Sequence, residues 1–131
     1  MRHSVFGRKL SRTKNERRRL LQGLARDLIF RGTIRTTISK AKAVQPLVEK
    51  LITRAKKNGA GSIIAIKRIL SNKETEKLLF SDAGTRFKAR GSGFTRIVRL
   101  GPRVGDSAET VMLQFVDERV VAEVVKPPKT K

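Results

Sequence analysis

The chain has no cysteine, tryptophan or tyrosine, and holds one histidine and four prolines among its 131 residues. Without cysteine there are no disulfides and no thiolate zinc ligands, and a reducing compartment suits such a composition. His3 has no second histidine to share a metal with and no carboxylate close by in sequence, so it reads as a contact residue of a polar arm. Six phenylalanines are the whole aromatic complement, so any core must be aliphatic and thin. No apolar run approaches the ~20 residues of a spanning helix. The charged stretch Met1–Leu10 is followed by no apolar segment of the kind a signal peptide carries. No membrane partner is expected, and no cofactor.

Acid is scarce too. Eleven carboxylates face 31 lysines and arginines, a formal charge of +20. A chain of this length makes one domain, and charge so concentrated repels itself and attracts polyanions. Its distribution is uneven. Residues 1–42 hold 13 basic and 2 acidic side chains, and residues 86–103 hold 6 basic and none acidic. Residues 104–131 hold 4 and 5, so the end of the chain is electrically ordinary.

Residues 1–12 have few apolar side chains and many cations, which predicts an extended basic arm rather than a packed element. Thr13-Lys14-Asn15-Glu16 has the pattern of a capping box. It precedes Leu20, Leu21, Leu24, Leu28 and Ile29 at helical spacing, and Gly32 supplies a helix stop. Thr33–Ile38 is β-branched except for Arg35 and predicts a short strand. Ser39 is placed to cap a second helix with the apolar set Val44, Val48, Leu51, Ile52 and Ala55. Pro46 should kink that helix or delay its start, and Asn58-Gly59 should end it. Ser62 is placed to cap a brief third helix, although its isoleucines would equally suit a strand. Ser71-Asn72-Lys73-Glu74 reads as a second capping box, opening a helix that stops near Gly84. Phe94–Leu100 and Val111–Val116 predict two strands joined by a long turn over Gly101–Thr110. Val120–Val125 could extend the last strand, before a frayed Pro-containing tail.

These elements predict an α+β domain over residues 13–118. About four helices pack on a small three-stranded mixed sheet, with a partly disordered extension at 119–131. Strand order is not decided by the sequence.

Little in the chain suits catalysis. Glu16 and Glu74 are assigned to helix capping, and Asp106 and Glu109 to a turn. Asp27, Glu49, Glu76 and Glu123 look solvated or ion-paired, so no acid–base pair stands out and no enzyme is expected. Gly91-Ser92-Gly93 lacks the third glycine and the strand-to-helix setting of a nucleotide loop. Beside it run Arg86, Lys88, Arg90, Arg96, Arg99 and Arg103, unbroken by acid. Three of them sit on a glycine-rich loop that is not expected to form core and could lie close to a phosphate chain. Arg17 and Arg18 on the first helix add side chains suited to bidentate phosphate contact.

Several blocks of the chain, in order, resemble the bacterial large-subunit ribosomal protein seventeen family. Met1-Arg2-His3, Gly7-Arg8-Lys9-Leu10 and Arg12-Thr13 are similar to its N-terminal arm. The stretch from Ile34 to Lys42 is similar to its most characteristic motif, and Val48–Thr53 continues the likeness. Arg86-Phe87, Arg90 and Phe94–Ile97 resemble its basic loop and following strand, and Arg103–Asp106 the turn after it. The family usually has Gly-Gly-Tyr where this chain has Ser92-Gly93-Phe94, which leaves stacking but removes a hydroxyl. Residues 119–131 extend past the usual family end.

The resemblance implies a structural, cytoplasmic ribosomal protein, bound to large-subunit rRNA near the nascent-chain exit and beside other large-subunit proteins. No small-molecule substrate is implied. A first rRNA surface is expected from the arm and first helix, through Arg2, His3, Arg8, Lys9, Arg12, Lys14, Arg17 and Arg18. The strand-to-helix junction adds Arg35, Thr36, Thr37, Lys40 and Lys42. A second surface is expected from Arg86, Lys88, Arg90, Phe94, Arg96, Arg99 and Arg103. The competing reading is a nucleoid-type protein that binds duplex DNA without sequence preference.

Overall fold

In a computed structural model that describes residues 7–119, the arm turns at Leu10 and Ser11 and enters helix α1 (Lys14–Arg31). The expected capping box forms at Thr13. The Glu16 carboxylate accepts from the Thr13 amide at 2.9 Å and from its hydroxyl at 2.8 Å, and these bonds, the amide's first, draw the Glu16 pKa below the ordinary range. Ala25, Leu28 and Ile29 of this helix are buried. Gly32 ends it at φ 81°, a left-handed conformation that glycine adopts without strain, and its amide donates to the Leu28 carbonyl at 2.7 Å.

The chain then runs directly into strand β1 (Thr33–Thr37) and helix α2 (Ile38–Lys57). The N-cap of α2 is Thr37, not Ser39, and Pro46 lies inside the helix without delaying its start. Pro46 removes one helical bond, at a cost of ~3 kcal/mol. Ala41, Val44, Val48, Leu51 and Ile52 are fully buried along the same helix. Each larger one contributes ~1.5–3 kcal/mol, so burial outweighs the missing bond. Asn58 ends α2 at φ 48°.

Helix α3 (Ala60–Leu70) is a helix despite its isoleucines, capped at Gly59 rather than Ser62. Ser71 is the left-handed terminus of α3, so it is not the cap of the next helix. That role falls to Asn72, whose side chain accepts from the Glu74 and Thr75 amides at the start of α4 (Lys73–Gly84). Glu74 thus contributes its amide rather than its carboxylate to the cap.

Strands β2 (Thr95–Pro102) and β3 (Glu109–Phe115) form a hairpin longer than expected, with a bulge at Leu100. Pro102 fits because β2 is an edge strand. The sheet order is β1-β3-β2, and both pairings are antiparallel, so the sheet is not mixed. β1 and β2 thus run parallel with β3 between them, and the three helices α2 to α4 make the crossover from one to the other.

Register sets two faces. Ile34, Leu113 and Ile97 align across the sheet toward the helices, while Arg35, Met112 and Val98 align on the outer face. The inner row joins Leu28, Val48, Leu51, Leu79 and their neighbours in one core. Phe87, Phe94 and Phe115 complete it with edge-on ring contacts at 5.1 and 5.4 Å. The segment between α4 and β2 therefore does contribute to the core, contrary to expectation. Phe87 is fully buried, and its amide is held by the Asp82 carbonyl at 2.9 Å.

Candidate nucleic-acid interface

The two cation-rich segments of the sequence reach different parts of the molecule. In the first, Arg8 of the arm, Arg17 of α1 and Lys42 of α2 converge on a groove of about 430 Å³, floored by Gly7, Leu21, Ala43 and Pro46. Lys14 and Arg18 line the adjoining groove of about 290 Å³ with Leu47 and Ile69. Lys9 and Arg12 are exposed beside them. Pro46, awkward for the helix, forms part of this groove. At the β1–α2 junction, the Thr37 side chain makes no capping bond and the first turn of α2 contains no acid. Thr36, Thr37 and Lys40 are half-buried there, and Lys42 is exposed. Amides at such a helix start favour anions. Arg35 lies apart from these residues, on the outer face of the sheet. Arg2 and His3 lie outside the described residues.

The second set divides into exposed and internal members. Phe94 is 1% exposed, so its ring is core and presents no stacking surface. This corrects the expectation that it stacks on RNA. The Arg86 side chain is 6% exposed, lies 3.7 Å from the Asp82 carboxylate, and donates from Nε to the Asp117 carbonyl at 2.5 Å. Its guanidinium stacks on Phe115 at 4.6 Å and Phe87 at 5.3 Å. Burial pulls the Arg86 pKa down, opposed by Asp82. Arg90 makes a bidentate pair with Asp117 at 2.9 and 3.2 Å. Their mutual bond raises the pKa of Arg90 and lowers that of Asp117. Lys56 of α2 donates to the Arg90 carbonyl. Glu49 accepts from the Phe94 and Thr95 amides at 3.2 and 3.0 Å and from the Thr95 hydroxyl at 2.7 Å. Glu49 is thus a clamp rather than a solvated carboxylate. Lys88 and Arg96 remain exposed, while Arg99 and Arg103 are exposed but paired with Glu109 and Asp106. No group of three His, Cys, Asp or Glu suited to a metal occurs among the described residues.

A protein whose cations project from a small α+β scaffold, with Glu49, Asp82 and Asp117 spent on internal ties, has relatives of known kind. The family model described as Ribosomal protein L17 matches residues 20–116. The chain belongs to the ribosomal protein L17 family. A large ribosomal subunit protein bL17 of Solibacter usitatus is 47% identical over 121 residues, covering 92% of this chain and 81% of that protein. The bL17 of Akkermansia muciniphila is 42% identical over 131 residues, covering 99% and 96%. The bL17 of Salinibacter ruber is 42% identical over 117 residues, and the chain spans 59% of its length. As a ribosomal protein L17 family member, the chain is a structural ribosomal protein and not an enzyme.

The family match leaves the arm and Arg119 outside its bounds, yet Arg119 is fixed to the domain. Its guanidinium donates to both Asp82 carboxylate oxygens at 2.7 and 3.1 Å and to the Ile29 carbonyl at 2.9 Å. The sequence assigns Arg119 to the tail because residues 119–131 extend past the usual family end. Arg31 was also missed, although its position before the terminating Gly32 puts it at an exposed helix end.

Proposed function

We propose that the chain is a structural constituent of the large ribosomal subunit, binding and stabilising folded large-subunit rRNA near the nascent-chain exit, beside neighbouring large-subunit proteins. The observation that carries this reading is the first groove. Arg8, Arg17 and Lys42 meet there from three elements, on a floor without a carboxylate. Cations gathered without counter-charge are held apart from one another unless a polyanion neutralises them.

The arm, which carries Arg2, His3, Arg8, Lys9 and Arg12, threads between RNA helices. The α2 start adds Thr36, Thr37, Lys40 and Lys42 against phosphate or ribose. Lys88, Arg96, Arg99 and Arg103 form the second surface. Arg86 and Arg90 support that surface by fixing the backbone that carries Lys88. Affinity comes mainly from phosphate neutralisation and counterion release, and selectivity from the shape of folded RNA.

Sedimentation of an extract in high salt tests the assignment, with the protein expected to travel with the large subunit. Competition at fixed salt should favour folded large-subunit rRNA over plain duplex DNA. Equal affinity for the two would replace this reading with the nucleoid one.

A further inference from the structure

Where α1 ends and β3 ends, the structure leaves a cavity of about 350 Å³ whose lining includes Arg31, Arg86, Arg96, Arg119 and Glu118. Four arginines and one acidic residue therefore line it. The charges behind it do not balance either. Asp82 serves both Arg86 and Arg119, and Asp117 is engaged by Arg90, so two carboxylates face three arginines in this cluster. Arg86 Nη1 is buried and has no hydrogen-bond partner among the described residues. A buried cation sharing its counter-ion is costly, and an anion from outside relieves that cost.

We propose that this cavity holds one phosphodiester phosphate of the bound RNA. Arg31 and Arg96 contact the phosphate, and Arg86 and Arg119 act as fixed positive charges beneath it. The inference rests on the RNA-binding reading above and adds Arg31 and Arg119 to the interface. A phosphodiester carries a single negative charge, which lowers the excess that Arg31, Arg86, Arg90, Arg96 and Arg119 hold over Asp82, Asp117 and Glu118. Arg31 and Arg96 are exposed, so they can reach a ligand. Arg96 is also oriented. With the Gln114 amide oxygen turned toward it, Gln114 accepts from Arg96 Nε and Nη2 at 2.5 and 2.6 Å, leaving Nη1 to point elsewhere. Arg119 is spent on Asp82 and on the carbonyls at the end of α1, where it offsets the negative end of the helix dipole that would otherwise repel an anion.

The test uses the full chain and large-subunit rRNA, measuring affinity across a salt series and, in parallel, against plain duplex DNA. Arg31→Gln should flatten the slope of log affinity against log salt by ~0.7–0.9, the share of one phosphate. Arg96→Gln should do the same, and the double variant should lose no more than either alone, because both serve one phosphate. Glu118→Gln should tighten binding. Lys73→Gln with Lys77→Gln on α4 should flatten the slope by less than either pocket variant. If Arg31→Gln and Arg96→Gln keep the wild-type slope while rRNA is still preferred over DNA, the pocket assignment falls and the RNA reading stands. If the wild-type chain shows no preference for rRNA, both fall.

Discussion

Phe94 meets Phe87 edge-on at 5.4 Å, has the Lys56 ammonium 5.4 Å above its ring, and is 1% exposed. Removing such a ring leaves a cavity, so Phe94→Ala should cost ~3–5 kcal/mol in urea denaturation. The same variant should leave the salt slope of rRNA binding unchanged under conditions where it is folded. A stability loss under 1 kcal/mol would place the ring outside the core. Asp106 offers a second measurement at this scale. The bond from the Arg103 guanidinium, helped by the Ala108 amide, draws its carboxyl from 3.8 down to about 2. The folded value is the lower one, so the stabilising effect is present above the ordinary Asp range and is lost as pH falls through about 2. Following the carboxyl carbon by NMR should give a midpoint near that value, and Arg103→Gln should return it toward 3.8. A midpoint that ignores the substitution would assign the shift to the backbone alone.

Between α3 and α4, two adjacent polar residues have different duties. Ser71 closes one helix in the left-handed region, and Asn72 opens the next by accepting from two amides. Asn72→Ala should therefore cost ~1 kcal/mol, whereas Ser71→Ala should change stability by less than ~0.5 kcal/mol. Thermal or urea melts of the two variants decide it, and a larger loss at Ser71 would restore the capping box suggested by the sequence. The capping box at Thr13 was legible because Thr, Glu and the apolar run all agree on one start. The second was ambiguous because Ser and Asn both cap helices, and only the path of the backbone distinguishes them. The segment from Arg86 to Gly93 was misread for a related reason. Its cations and glycines resemble a solvent-facing loop. The structure instead ties it to the domain through Lys56 and Asp117, and Glu49 holds the Phe94 amide just after it, all three distant in sequence.

For the whole molecule, the charge of +20 sets two responses to salt of opposite sign. Salt screens the self-repulsion of the free chain, so its melting temperature should rise between about 0.02 and 0.3 M KCl. Over the same range its affinity for rRNA should fall steeply. A free chain that melts lower in added salt would mean that its ion pairs outweigh its repulsion.

The sequence by itself determined that the chain would be a small α+β domain with a large cationic excess, and which stretches carry the cations. Period and net charge are local sums that need no contacts to be read. The tertiary structure alone decided which cations face outward. Arg86 and Arg90 lie in the same basic run as Lys88 and Arg96, yet Arg86 is buried beside Asp82 and Arg90 is half-buried in its pair with Asp117. The strand order was settled the same way, by pairing partners about eighty residues apart in the chain. Long-range pairing and burial depend on what the fold brings together, and no local pattern records that.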